Sequence, residues 1–548
     1  MSEPQINDGK GTDLREAPAR GAGAAGGTSY DAVPYPGGAF PQAHPDRLAT
    51  MATLFGMKPA PVERCRVLEL GCGDGGNLVP MAFGLPRSEF VGIDLAAGPI
   101  ARGRALVEAL GLTNIRLLPL DLMDVTADFG VFQYIIAHGV YSWVPPAVQD
   151  KILAICKAYL APHGVAYVSY NTYPGHRLQG MVRDMMRFHV RAIQDPEERV
   201  GAALAFLRFL AESKAEPDPY RTLLKQHLEN LLERSRHAVY HDELAEINLP
   251  VHFHQFIEDA GRHGLQFLSE ATFSSMQDRA FPDGTSEVLL TLAEGDILLK
   301  EQYLDFLKCR KFRQTLLCHK DISLDRDVTP EKMRGFYAAS PASPVSPQPD
   351  VRSTAVEDFR GPFGAAMSTG NPFAKAVIMQ LVESWPRLLP FDELLAASRA
   401  RLGLPGDTAD PGQEADAPAL ANILLGTFAV GLVEMHIHLP HFVTEVSERP
   451  LASPLARRQA RESSMATNLR HATIQLEGEL VRHLLGLLDG TRDRTALVRD
   501  LAAAAAADPG ALQEVGGFPQ DGRGLEEVMA AGLEGNLQRF ARLAFLLA

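Results

Sequence analysis

The stretch "VLELGCGDGGN", residues 67–77, reads as a buried strand, a glycine-rich turn and the first residues of a helix starting at Gly76 or Asn77. Such a turn aims backbone N–H groups and a helix N-terminus at whatever lies beyond the strand end. Glycine there allows positive φ and close approach to a ligand. Nucleotide-like cofactors are held this way, and two spacings fit the same letters. Gly71, Gly73 and Gly76 satisfy G-x-G-x-x-G, the dinucleotide fingerprint. Gly71, Gly73 and Gly75 satisfy G-x-G-x-G, with Glu69 inside the strand before them.

Outward from this turn, short apolar runs alternate with amphipathic stretches. "EFVGIDL" (89–95), "NIRLLPLD" (114–121), "VFQYIIAHG" (131–139) and "GVAYVSYN" (164–171) read as strands; "GPIARGRALVEALG" (98–111) and "PAVQDKILAICKAYLAP" (146–162) read as helices. This alternation predicts an α/β domain with a parallel sheet covered on both faces. From residue 176 to 236 the apolar spacing becomes three and four, a helical block. Strand-like "HGLQFLSEATF" (263–273), helical "KEQYLDFLKCRKF" (300–312) and strand-like "RQTLLCHK" (313–320) follow, so the block reads as an insertion into a sheet that closes near residue 320. Residues 1–29 read as a disordered tail, 326–350 and 451–468 as linkers. Three helices and a short strand across 351–450 predict a winged-helix-like middle domain, and 469–548 a mainly helical C-terminal domain.

Asp94 ends the second strand and can accept ribose hydroxyls of either cofactor type, so it does not discriminate. Three other features do. An ordered-looking segment of residues 30–65 precedes the first strand and suits a lid. Glu69 has no role in dinucleotide binding. Asp121 ends the third strand, where an acid or the following backbone amide, here that of Leu122, can meet an adenine amine. The spacing E-x-G-x-G-x-G resembles motif I of class I methyltransferases, which use S-adenosyl-L-methionine (AdoMet).

The resemblance extends to "YDAVPYPGGAFPQAHPDRLATMATLFG" (30–56), "YIIAHGVYSWVP" (134–145), "AYVSYNTYPG" (166–175), "NLPVHFHQFIEDAGRHGLQFLSEA" (248–271) and "EQYLDFLKCRKFRQTLLCH" (301–319). These stretches look like the bacterial methyltransferases with a methyltransferase regulatory domain, whose rickettsial-type members methylate lysines of outer-membrane proteins. The resemblance implies a Rossmann-like, seven-stranded AdoMet domain over residues 30–325, with a helical insertion at about 176–250 that makes a homodimer contact, and further domains behind it. It departs from the family at Gln133, where Asp is common, and at His176, where Trp is common.

Methyl transfer is a displacement that needs proximity and in-line orientation, and a lysine acceptor must lose its proton first. An aromatic, partly dry channel serves both needs. Residues after the fourth strand, His138, Tyr141 and Trp143, and after the fifth, Tyr170, Asn171 and Tyr173, are the candidates for that channel. Tyr30, Tyr35 and His44 in the lid, with Glu69, Gly71, Gly73, Gly75, Asn77, Asp94, Asp121, Leu122 and His138, are the candidates for the cofactor.

Net charge is −14, which makes nucleic acid a poor partner for the chain as a whole. The N-terminal stretch has no secretory pattern, and no apolar run reaches the ~18 residues of a membrane span. Five cysteines without a close-spaced motif point to a reduced, cytoplasmic setting. "HFHQF" (252–256) and "HIHLPH" (436–441) lack the convergent ligands of a zinc site, and no metal is expected. The leading reading is a protein-lysine N-methyltransferase whose substrate is a protein met before export. The alternatives are a methyltransferase for a small molecule or another protein group, and a non-catalytic AdoMet-binding regulator.

Overall fold

The computed structural model describes residues 33, 35, 37–126, 129–213, 218–279, 281–282, 284–404, 411–508, 510–511 and 524–548. The expected tail 1–29 and Tyr30 lie outside them. A lid segment leads into helix α1 (Pro45–Leu54), which starts at a proline and is capped by His44, whose Nδ1 accepts the Asp46 N–H.

Then come β1 (Arg66–Leu70), α2 (Leu78–Gly84), β2 (Glu89–Asp94), α3 (Ala97–Ala109), β3 (Ile115–Pro119), β4 (Phe132–Ala137), α4 (Pro146–Tyr159) and β5 (Leu160–Asn171). The chain leaves the sheet for α5 (His176–His189), α6 (Pro196–Glu212), α7 (Pro219–Leu232) and α8 (Arg236–Leu244). It returns through α9 (Phe253–Arg262), β6 (Leu265–Glu270), α10 (Thr285–Ala293), α11 (Ile297–Lys308) and β7 (Phe312–His319). Strand order is β3-β2-β1-β4-β5-β7-β6, with β1 to β5 parallel and β7 antiparallel to both neighbours. Successive strands wind outward from β1 in one direction and from β4 in the other. The crevice at their carboxyl ends is therefore where such a sheet receives its ligand. Continuous apolar runs such as Tyr134–Ala137 arise because helices cover both faces.

The second half opens with β8 (Tyr337–Ala339), β9 (Ser343–Pro344), β10 (Glu357–Arg360) and β11 (Ala366–Thr369). These are followed by α12 (Pro372–Ser384), β12 (Leu389–Pro390), α13 (Phe391–Arg401), α14 (Pro411–Ala429) and β13 (Glu434–His436). The expected linker 326–350 therefore holds structure: β8 is the centre of the sheet β12-β8-β13. β9 accommodates Pro344 because it is an edge strand, where a missing N–H costs no ladder bond. The last unit contains α15 (Pro454–Glu462), β14 (Met465–Thr467), β15 (Thr473–Gln475), α16 (Glu479–Leu487), α17 (Arg494–Ala507) and α18 (Leu525–Arg542). The expected linker 451–468 is corrected in the same way. Ser453 caps α15, Pro454 opens it, and Leu455, Ala456 and Ala460 are buried in the unit's core.

Among the described residues, three apolar cores result. The largest is continuous from the seven-stranded sheet into the middle region; the C-terminal unit and the α5–α8 block each have their own. All five cysteines are unpaired. No helix among the described residues is long and apolar enough to cross a membrane.

Candidate functional site

The loop after β1 rises at the carboxyl end of the sheet. Gly71, Gly73 and Gly75 have φ of 71°, 56° and 79°, values that L side chains rarely adopt. The Gly71 and Cys72 N–H groups both donate to the Ile93 carbonyl, which ties the loop to β2. Asp94 accepts the Gly73 N–H on Oδ2 and the Ala96 N–H on Oδ1, each at 2.8 Å, so its carboxylate is fixed beside the loop crest. A Cβ placed on Gly73 would meet nothing within 4 Å, so the crest faces open space. The end of β3 is aligned with this point, because the Leu120 N–H donates to the Asp94 carbonyl. Asp121 then caps the turn, accepting the Met123 N–H at 2.9 Å, and Leu122 is buried beneath it.

Behind the loop lies a buried polar hub. Glu69 is 3% exposed; its Oε1 accepts from Asn77 Nδ2 at 2.7 Å, and its Oε2 is buried without a protein partner. Burial pushes the Glu69 carboxyl up to about 8, with Asp94 and Asp74 adding to the effect and the Asn77 hydrogen bond opposing it. Asn77 Oδ1 in turn accepts the lid's Phe40 N–H and the Nε2–H of His471, both at 3.0 Å.

An aromatic wall closes the side next to β4. A Cβ on Gly71 would lie 2.4 Å from Val140 Cγ2, so the loop after β4 packs directly on the glycine turn. His138, one residue past β4, stacks on Phe40 with ring centres 3.7 Å apart, and its Nδ1 lies 2.9 Å from the Tyr167 hydroxyl. Burial lowers His138 to about 4, so the ring is neutral near pH 7. Ser169 Oγ accepts the Gly139 N–H, and Ser142 Oγ accepts the Asn171 N–H, both at 2.8 Å. The edge of Phe312 completes the wall, 6.4 Å from His138.

Strand alternation puts Tyr167, Ser169 and Asn171 on one face of β5 and Tyr170 on the other. Tyr170 accordingly points away from the wall; it stacks on Phe256 at 4.2 Å, and its hydroxyl lies 3.2 Å from Thr315 Oγ1. Tyr141 meets the same Phe256 edge-on at 5.2 Å and is 1% exposed. Both tyrosines are core residues, which corrects the expectation that they line a channel. Trp143 is half-buried, with the Arg183 guanidinium 5.9 Å from its ring at the base of the helical block. Asn171 Nδ2 donates to Asn248, which also contacts the buried His176. Tyr173 packs under Arg177 at 4.2 Å. In the lid, Tyr35 is exposed and leans on His241 of α8, while His44 caps α1 with its ring 4.9 Å from His471.

The histidines of "HIHLPH" meet carboxylates. His436 Nδ1 lies 2.6 Å from Asp46 and His438 Nδ1 2.7 Å from Glu63. Asp46 Oδ1 also accepts the Ile437 and His438 N–H groups, so β13 holds the start of α1. In "HFHQF", His254 Nδ1 contacts Gln302 at 2.8 Å.

Three family models match the chain: a methyltransferase domain over residues 67–164, a predicted methyltransferase regulatory domain over 235–319, and the C-terminal winged helix domain of PKMT over 448–545. The uncharacterized protein RP789 of Rickettsia prowazekii is 32% identical over 480 residues, covering 86% of this chain and 84% of that protein. The chain belongs to this family of AdoMet-dependent methyltransferases. The structure of PKMT2 from Rickettsia typhi is similar over 94% of the chain and all of that protein, with a TM-score of 0.83 and 28% identity. The same protein in complex with AdoHcy, the demethylated cofactor, matches with a TM-score of 0.82.

The methyltransferase's cofactor is AdoMet, and the loop geometry fits it: glycine backbone faces open space, an oriented carboxylate stands at the end of β2, and Glu69 retains a free oxygen below. The winged-helix description falls on 448–545, the unit whose sequence reads as mainly helical. Five residues of the site lie beyond the sequence reading, Phe312 at the start of β7 among them. Tyr167 and Ser169 were within its reach, since alternation from Asn171 leads to them. Phe40 lies in the quoted lid segment. His471 is 394 residues from Asn77 and nothing local announces it.

Proposed function

We propose that this methyltransferase transfers the methyl group of AdoMet to lysine side chains of protein substrates. The observation that carries the reading is the wall of Phe40, neutral His138 and Phe312, which is joined to the glycine turn through Val140 on Gly71 and Phe40 on Asn77. AdoMet, when bound, would supply an electrophilic sulfonium methyl. The chain's own work is to orient and to dry. Asp94 and the glycine backbone fix one partner. The rings exclude water from the other, and a lysine ammonium placed among them loses its proton more readily than in solvent. A neutral His138 adds no positive charge that would repel the incoming amine. The likeness to PKMT2 supports a protein acceptor. The family resemblance supports an outer-membrane or surface protein, modified in the cytoplasm before export.

The reading includes a homodimer through α5–α8. Leu178, Met181 and Phe188 are exposed on α5 and fall within an arc of roughly 80° at ~100° per residue. Phe209 and Leu232 are exposed on the neighbouring helices. A solvated connector has no use for these side chains.

Purified protein incubated with methyl-labelled AdoMet and a bacterial lysate tests the reading. A labelled protein band that yields methyl-lysine on hydrolysis is the expected result. Label recovered in small molecules, or in another amino acid, overturns the lysine assignment. AdoMet binding without any transfer overturns catalysis.

A further inference from the structure

We propose that His471, in the turn between β14 and β15 of the winged-helix unit, is a positioning residue of the AdoMet site, so that the C-terminal unit completes the cofactor cradle. This rests on the cofactor assignment and extends it to a domain remote in sequence.

The case begins with Asn77. Its amide bridges Glu69 in β1 and the lid: Nδ2 donates to Glu69, while Oδ1 accepts from the Phe40 backbone. These two bonds set the orientation of the amide, and a third contact reinforces it. His471 provides that contact, with Nε2 at 3.0 Å from Asn77 Oδ1. His471 is 6% exposed, and burial drives its pKa far below 6.5, so the ring carries one N–H. The carbonyl oxygen of Asn77 requires that proton on Nε2.

The turn that delivers the ring is built for it. His471 has φ of 57°, a left-handed conformation that a histidine adopts at a cost and that glycine adopts freely. Asn468 holds the turn, its Oδ1 accepting the Arg470 and Ala472 N–H groups at 3.0 and 2.8 Å. Arg470 anchors it to the middle region, with its guanidinium 4.3 Å over Trp385 and a bond to the Pro386 carbonyl at 2.6 Å. A second thread runs to the same lid: Thr473 Oγ1 accepts the Ala39 N–H at 3.0 Å. The amides of Ala39 and Phe40, adjacent in the lid, are thus both held by groups that depend on the β14–β15 turn. Phe40 is the residue that stacks on His138.

The test is AdoHcy affinity by calorimetry in the full chain, with melting temperature measured alongside, for His471→Ala, His471→Gly and His471→Gln. Glycine relieves the left-handed backbone while removing the ring together with its donor, and the melting temperature shows whether the His471→Gly turn and fold are kept. Both Ala and Gly variants are expected to bind AdoHcy about 2- to 10-fold more weakly, the range for losing one buried hydrogen bond, since Asn77 Oδ1 still accepts the Phe40 N–H. His471→Gln, whose amide can reach Asn77, recovers most of the loss. Wild-type affinity in the folded Gly variant overturns the proposal. So does an equal loss in the Gln variant, which would mark ring packing rather than the hydrogen bond as the cause. Absence of AdoHcy binding by the unmutated chain overturns the cofactor assignment and the proposal together.

Discussion

At Gly73 the backbone takes a left-handed conformation and a side chain would project into open space, the volume proposed above for the cofactor. Gly73→Val therefore combines two effects. A β-branched residue at this φ costs roughly 1–2 kcal/mol of local strain, and its methyls occupy the ligand's volume. The expected outcome is a folded protein with a slightly lower melting temperature and no AdoHcy signal in calorimetry. Glu69 behaves differently because its effect depends on pH. Its pKa is raised by burial to about 8 in the folded chain, against roughly 4.3 in the unfolded one. The folded state holds the proton longer than the unfolded state does. Stability from this group is fully present below the unfolded value and is lost as pH rises through about 8. The cofactor-free melting temperature should thus decline from about pH 5 to 8 on this account, and Glu69→Gln should flatten that part of the profile. An unchanged slope in Glu69→Gln would assign the decline to another group.

β5 shows how far an element can be read from its letters. The strand itself, the turn after β1 and the ends of β2 and β3 were legible because each is local: an apolar run, a glycine spacing, an acid at a strand end. Tyr170 and Asn171 do not share a rim, because adjacent residues of a strand point to opposite faces. The same strand supplies a paired test. Tyr167→Phe removes the hydroxyl that fixes His138, so the wall loosens while the fold stays. Turnover is expected to fall about tenfold, the scale of ~1.4 kcal/mol in a buried hydrogen bond. Tyr170→Phe removes the contact to Thr315 on the other face. It is expected to cost on the order of 1 kcal/mol of stability and leave turnover per folded molecule intact. Reversal of the two results would put the reacting face on the Tyr170 side. Tyr141 belongs with Tyr170, since both rings pack on Phe256.

At the scale of the whole molecule, the α5–α8 block raises a question its own core does not answer. That core is closed around residues such as Val182, Leu207 and Leu228, yet Phe188 and Phe209 remain 66% and 64% exposed on its outside. Two phenylalanines, two leucines and a methionine left in water on one small block form the kind of apolar surface that marks a protein contact. A second copy of the chain is the simplest partner, because a patch on one protomer then covers the same patch on the other by a twofold axis. The competing surface is α10, where Val288, Leu290 and Leu292 are also exposed. The two can be separated by charge. Phe188→Glu with Phe209→Glu puts like charges face to face across the proposed axis and should give a species of one chain's mass by light scattering at micromolar concentration. Leu290→Glu should leave the dimer intact. A monomer from Leu290→Glu alone would move the interface to α10, and a monomeric unmutated chain would remove the dimer from the reading. Since the block joins the sheet directly after β5, next to Asn171 and Trp143, loss of the dimer should also change turnover on a protein acceptor more than it changes AdoHcy affinity. The interface would then help shape where the acceptor enters, while the cofactor cradle is completed within one chain.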